Sequence, residues 1–312
     1  MKNPSVDTFL YAAARNILAD YIKAVRPDFA IIEHSWLAPY VPMFNTSGIK
    51  TVLDAHNIEA DLWKQFYNDS NLLKRSPYYV FWKSMVINEK RFMPYFDLIV
   101  STSESEDTKI KEIAPNVQRA VIPNGVDLDR FVSNEPEEQN SVYFIGLMRY
   151  PPNVQAVSYF LEKIFPSVKQ AVPGVKFYIA GKDPAGDLRR FSDGKNIIIT
   201  GYVPDAVQFM TRHALMVAPF LQGSGTRTKI LEAMALKKPV VATSRGADGL
   251  KVTNGKDICI EDHPKAFARA VIDLLKNNSR RKTIGEEARR TVTLNYSWEH
   301  IGNGLIDSFK EM

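Results

Sequence analysis

The residues best suited to chemistry are densest between Pro219 and Thr243, where an apolar run ends at a proline, Gly223-Ser224-Gly225-Thr226 follow, and an amphipathic stretch leads to a second apolar run. Gly223 and Gly225 let backbone approach a ligand closely, and free N–H groups at a helix start near Thr226 present partial positive charge to an anion. A helix end supplies only about half a unit charge. A doubly charged phosphate group therefore needs side-chain cations, and Arg227 and Lys229 stand where they can serve. A unit charge pair about 4 Å apart gains roughly 4 kcal/mol at an effective dielectric near 20. Glu232 lies close to one helical turn beyond Lys229, and a carboxylate there suits the paired hydroxyls of a ribose. The plainer alternative makes all three ordinary surface residues of a helix, although Ile230, Leu231, Ala233, Met234 and Leu236 crowd Glu232.

These residues need a scaffold, and the pattern from Val142 onward provides one. Short apolar runs alternate with segments of helical spacing, which predicts parallel strands joined by right-handed helical crossovers in an α/β fold. Expected strands are 142–145, 176–180, 197–200, 215–218, 240–242 and 258–260; expected helices are 154–172, 205–212, 229–237 and 265–276. The front of the chain repeats the theme with three strands, 29–32, 51–53 and 98–101, and helices at 8–25 and 79–93. No first strand with a glycine turn opens that half, so an incomplete domain is expected. His56 falls just beyond the 51–53 strand, at the end where ligands gather in open α/β sheets, though a capping histidine would look the same. Glu33-His34 follows the preceding strand and is a weaker candidate for the border of an acceptor site.

Asn124-Gly125-Val126-Asp127 and the polar run 133–141 mark the expected boundary, giving domains at 1–122 and 123–295, with 296–312 as a terminal helix packing back on the first domain. Asp127 and Asp129 have the spacing of a metal-holding pair but lack a third ligand nearby, so no metal is expected. The single cysteine, Cys259, sits in an alternating segment and reads as a small buried hydrophobe. His213, His263 and His300 show no partner spacing. Net charge is +5 from 40 Lys and Arg against 35 Asp and Glu, a bias toward anionic ligands or an anionic membrane surface. The basic residues are spread through helices such as 278–290, which reads as a solvated face rather than a nucleic-acid footprint. No apolar run approaches the roughly 20 residues of a spanning helix, and no secretion signal follows Met1, so a cytoplasmic protein is expected.

Phe220 to Thr243, with Leu231-Glu232-Ala233-Met234-Ala235 and Pro239-Val240-Val241-Ala242, resembles the signature of the family 4 retaining glycosyltransferases of the bacterial polysaccharide and glycolipid type. Ile122-Pro123-Asn124-Gly125-Val126-Asp127 is similar to the linker those enzymes share. Gly146 with Pro152-Asn153, Ile179-Ala180-Gly181, Thr200-Gly201-Tyr202-Val203 and Tyr296-Ser297-Trp298 fall in the family's order, so the resemblance covers nearly the whole chain. It implies the GT-B fold: two Rossmann-like doubly wound α/β domains facing a cleft, the N-terminal one shortened. It further implies transfer of a sugar from a nucleotide-sugar donor to a saccharide or lipid-linked acceptor, with retention of configuration and without a metal or other cofactor.

On that resemblance, His56 is a donor-sugar contact, Arg227 and Lys229 hold the diphosphate, and Glu232 binds the ribose. Tyr202 and Val203 lie where the base would sit, and Gly223, Ser224, Gly225 and Thr226 complete the donor site. Two departures matter. Ser224 stands where the family has the first of its paired glutamates, and Leu147 with Pro152-Asn153 stands where it has Arg and Lys, so Arg227 and Lys229, joined by Arg149, are expected to replace them. These departures keep open a catalytically impaired sugar-nucleotide-binding protein or partner subunit, and more distantly a sugar-nucleotide epimerase. Expected partners beyond donor and acceptor are an anionic membrane at its cytoplasmic face and a second copy of the chain; no nucleic acid is expected.

Overall fold

The computed structural model describes residues 12–70, 72–132, 136–182, 186–222 and 227–312. They form two compact units, one of residues 1–123 with 303–312 and the other of residues 124–302.

In the first unit, α1 (Ala12–Val25) leads to β1 (Phe29–Glu33), a 3-10 turn (Ser35–Tyr40), α2 (Val41–Asn45) and β2 (Lys50–Ala55). Then come α3 (Glu59–Asp69), α4 (Leu72–Phe92), β3 (Leu98–Ser101), α5 (Glu104–Ile113) and β4 (Gln118–Val121). The strands pair in parallel in the order β1-β2-β3-β4. With no reversal in that order, right-handed crossovers place the connecting helices on one face. Ile32, Leu53 and Ile99 accordingly pack with Met85, Met93 and Ile110. On the other face Val52, Leu98 and Val100 meet Leu305, Phe309 and Met312 at the chain's end. The fourth strand corrects the expected count of three. Gln118-Arg119-Ala120-Val121 is an edge strand of half-buried residues, and its polar content hides it from an apolar-run criterion.

In the second unit, β5 (Glu138–Ile145), β6 (Lys176–Ala180), β7 (Ile197–Gly201), β8 (His213–Ala218), β9 (Val240–Ala242) and β10 (Cys259–Ile260) make an all-parallel sheet in the order β10-β9-β8-β5-β6-β7. Its helices are α6 (Pro151–Tyr159), α7 (Phe165–Ala171), α8 (Gly186–Arg189), α9 (Ala206–Thr211), α10 (Thr228–Ala235), α11 (Pro264–Lys276) and α12 (Asn278–Tyr296), and α13 (Trp298–Lys310) closes the chain. Strands β8 and β9 are buried along their entire length and β5 from Ser141 to Phe144, which is why they read as continuous apolar runs. The polar run 133–141 is not wholly a linker: β5 begins at Glu138, and Ser141 is buried with its hydroxyl accepting the Ala214 amide at 2.9 Å.

The single helix expected over 154–172 is three pieces. A π-turn, Phe160–Ile164, separates α6 from α7. Pro166 lacks the N–H that an unbroken α-helix would direct at residue 162, and its ring clashes there, so the winding loosens for one turn. The turn aims Phe160 and Phe165 at Phe177, with ring centroids 4.6 and 5.9 Å away. Burying each such ring contributes about 1.5–3 kcal/mol.

The basic helix α12 is likewise not simply a solvated face. Arg281 is 2% exposed; it donates to Glu137 at 2.6 and 3.0 Å, to Gln139 at 3.0 Å, and to the terminal carbonyls of α11 at Leu274 and Leu275. Arg289 donates to the carbonyls of Leu128, Phe131 and Ala235. Cys259 is buried, and Asp127 Oδ1 caps its own loop by accepting the amides of Asp129 and Arg130 at 3.1 Å each.

Candidate functional site

The strand order of the second unit reverses between β5 and β8, and the crevice beyond the carboxyl ends of strands at such a switch is where open α/β sheets bind ligands. Gly146 follows β5 and Phe220 follows β8. Thr243 Oγ1 donates to the Phe220 carbonyl at 2.5 Å and holds that turn in place. Gly223, Ser224, Gly225 and Thr226 lie outside the described residues, and α10 opens immediately after them.

Arg227, Lys229 and Glu232 are brought together here. Lys229 Nζ donates to Asn153 Oδ1 at 2.9 Å, while Asn153 Nδ2 donates to the Leu147 carbonyl at 2.9 Å. Gly146 makes room for this pair: a Cβ there would sit 2.6 Å from Lys229 Nζ and 2.8 Å from Asn153 Nδ2. Lys229 Nζ lies 4.9 Å over the Phe144 ring and 5.3 Å over Phe220, and the Arg227 guanidinium lies 4.6 Å over Phe220. Arg227 Nη2 donates to the Gln222 carbonyl at 3.1 Å, and its buried Nε has no hydrogen-bond partner among the described residues. Neither cation has a carboxylate within ion-pair distance among the described residues. Burial, aided by the Arg227 charge, pushes the Lys229 ammonium down to about 7, with Glu232 opposing. Burial also lowers Arg227 and raises Glu232, whose shift Lys229 and Arg130 oppose. Two half-buried cations over one aromatic ring, at a ligand crevice, are suited to receive an anion.

The remaining expectations are spread more widely. Arg149 is exposed beyond β5. Tyr202 is 62% exposed beyond β7 with Lys182 Nζ 4.9 Å over its ring, so a flat ligand has access to it. Val203 turns instead into a cavity of about 770 Å³ lined also by Tyr178, Phe209 and His213. His213, which showed no partner in the sequence, begins β8, is 5% exposed and stacks on Tyr178 at 4.2 Å. Its alternation with Leu215 and Val217 marks it as a strand residue in retrospect. His263 caps α11 by accepting the Lys265 amide.

In the first unit, His56 follows β2, its Nε2 lying 3.7 Å from Asp54 Oδ2 and its ring 5.0 Å from that of His34. His34 holds φ 67 and ψ 138, a backbone state that costs a non-glycine residue about 1–3 kcal/mol and recurs at functional sites. Its Nδ1 lies 3.3 Å from Glu59 Oε1. Burial raises Glu59 and Glu89 to about 7 each and lowers His34, the nearby His56 adding to the last. Glu59 and Glu89 carry no sequence signal; the first opens a helix as surface acids do, and the second sits in the charged run Glu89-Lys90-Arg91.

Comparisons with known proteins agree with this geometry. Residues 139–277 match the family model described as glycosyl transferases group 1. An uncharacterized 44.6 kDa protein in the cps region of Klebsiella pneumoniae is 26% identical over 294 residues, which span 91% of this chain and 74% of that protein. Sucrose-phosphate synthase from Thermosynechococcus elongatus superposes with a TM-score of 0.76 at 16% identity, over 96% of this chain and 77% of that one. Anabaena Alr3699/HepE in complex with UDP gives 0.75 at 15% identity, over 96% and 83%. Residues 139–277 thus match the glycosyl transferases group 1 model, in a chain with the GT-B fold.

Proposed function

We propose that the chain is a retaining, metal-independent glycosyltransferase that moves a sugar from a nucleotide-sugar donor to a saccharide or lipid-linked acceptor. The observation that carries this reading is the uncompensated cation pair, Arg227 and Lys229, at the topological switch of a segment that matches the glycosyl transferases group 1 model. A donor diphosphate supplies the missing negative charge. As it departs, charge grows on its bridging oxygen, and cations already fixed beside that oxygen stabilise the transition state more than the ground state. Binding also restores the proton that burial loosens at Lys229.

Glu232, one turn along α10, is assigned to the ribose hydroxyls and exposed Tyr202 to the base. His56 is assigned to the sugar. Gly223, Ser224, Gly225 and Thr226 are assigned to the phosphate or sugar. In the retaining course proposed, the acceptor arrives on the face the diphosphate leaves, and a phosphate oxygen takes its proton; the leaving group's position beside Lys229 suits that role. The solved Anabaena protein with UDP supports a uridine nucleotide as the first donor to try.

The test is calorimetric titration with UDP, GDP and ADP, followed by hydrolysis and transfer assays with the matching sugar nucleotides. One nucleotide is expected to bind, with its sugar released or transferred, and Glu232→Ala is expected to reduce turnover by about 100-fold, as loss of a charge-assisted bidentate contact does. Binding without turnover for any acceptor would replace this reading with a sugar-nucleotide-binding partner subunit. No binding would end the donor-site assignment.

A further inference from the structure

Two loops leave the adjacent carboxyl ends of β1 and β2, carrying His34 and His56, and both are tied to one point on α4. Glu89 is 1% exposed, and its Oε1 accepts three hydrogen bonds: from the Ser35 hydroxyl at 2.8 Å, the Glu59 amide at 2.9 Å and the Ala60 amide at 3.4 Å. The neighbouring Asn88, 3% exposed, donates from Nδ2 to the Ser35 carbonyl at 2.6 Å. We propose that Glu89, with Asn88, is a positioning residue that locks the His34 and His56 loops into one rigid sugar-binding rim.

Local sequence explains why the tie must come from outside. The N-cap of α3 is Ile58, which has no side-chain oxygen, so the first amides of that helix need an acceptor from elsewhere. Glu89 is that acceptor, and its negative charge favours a helix N-terminus. The same oxygen takes Ser35, the residue after His34, whose φ of 67 would relax without restraint. The loop amide next to Ile58 also places Glu59, whose carboxylate approaches His34 Nδ1 at 3.3 Å. One buried acceptor thus fixes the backbone beside His34, the start of α3 just after His56, and the carboxylate that faces the imidazole. Glu89 Oε2 has no partner among the described residues. A proton placed on Oε2 leaves Oε1 as a carbonyl acceptor, so the tie depends on the oxygen's position and survives neutralisation.

That separates positioning from charge in experiment. The turnover readout rests on the proposed transfer reaction; the imidazole readout does not. In Glu89→Ala, the side-chain ¹⁵N resonances of His34 and His56 are expected to move and broaden while those of His213, His263 and His300 stay in place. Turnover is expected to fall by about 10- to 100-fold with donor KM changed less than about threefold, the scale of an ångström misplacement. Glu89→Gln keeps an oxygen at the Oε1 position and is expected to restore both imidazole spectra, with turnover within about threefold of the parent. Should Glu89→Ala not fold, Asn88→Ala and Ser35→Ala each remove one tie and are read the same way. Unmoved His34 and His56 resonances in the truncated variants would overturn the proposal, as would Glu89→Gln proving as damaging as Glu89→Ala. A parent protein that turns over no sugar nucleotide would instead overturn the proposed function, and the imidazole spectra would still decide the clamp.

Discussion

Raising the pH is the sharpest perturbation of the donor site, because Lys229 titrates near 7 in the free protein. A bound diphosphate supplies the counter-charge and returns the ammonium toward its ordinary value of about 10.4. The protonated form therefore binds better. Affinity is full below about pH 7 and falls as pH rises through the free-state value, reaching one decade per unit. Between pH 7 and 9 the free protein goes from about half to about one-hundredth protonated, so the dissociation constant should rise about fiftyfold, or about 2.3 kcal/mol. A terminal phosphate with its second pKa near 6 is already ionised across this range and adds little slope. Calorimetry of the favoured nucleoside diphosphate at pH 7, 8 and 9, in buffers of different ionisation enthalpy, measures both the affinity and the protons taken up. Uptake should approach one proton at pH 9 and vanish in Lys229→Met, whose affinity should be low and flat with pH. A parent protein whose affinity is flat from pH 7 to 9, with no proton uptake, would refute the assignment of Lys229 to the diphosphate.

Three further outcomes are expected. Gly146→Ala places a methyl against the tips of Lys229 and Asn153, which can swing aside; the fold should lose only about 1 kcal/mol while diphosphate affinity falls about tenfold, by thermal unfolding and calorimetry. Arg281→Met strips two helix-terminal carbonyls and Glu137 of their buried partner and should destabilise the second unit by about 3 kcal/mol in urea unfolding. Glu59 and Glu89, raised by burial to about 7, bind protons more tightly folded than unfolded. Their contribution is complete below about pH 4.5 and lost as pH rises through 7, by on the order of a few kcal/mol. Trp36, Trp63 and Trp82 lie with these glutamates in the first unit, so fluorescence-monitored unfolding should show a higher midpoint at pH 5 than at pH 8, and Glu89→Gln should flatten the difference.

The parts of the molecule legible in its sequence are those where one strong local signal decides. Leu98–Ser101 and Val240–Ala242 fall where short apolar runs predicted them, because parallel strands buried on both faces leave an unbroken apolar stretch. The places of Lys229 and Glu232 on α10 were legible too, since helical spacing fixes their side of that helix. Illegible residues take their roles from distant partners. Gln118–Val121 is a strand because β3 offers it an edge, and the loosened turn at Phe160 follows from a proline six residues on whose effect depends on the packing around it. Glu89 is separated by 54 residues from Ser35, and nothing local distinguishes it from a surface glutamate. Asn153 stands in the sequence only as a departure from a lysine, and its bond to Lys229, 76 residues away, has no local signal.

The central claim is that the carboxyl end of the second sheet holds a donor diphosphate against Lys229, and a crystal structure of the protein soaked with the nucleoside diphosphate it binds tests it most directly. The account predicts phosphate oxygens within hydrogen-bond distance of Lys229 Nζ and the Arg227 guanidinium, with the ribose at Glu232. A nucleotide bound elsewhere, leaving Lys229 on Asn153 alone, would contradict it.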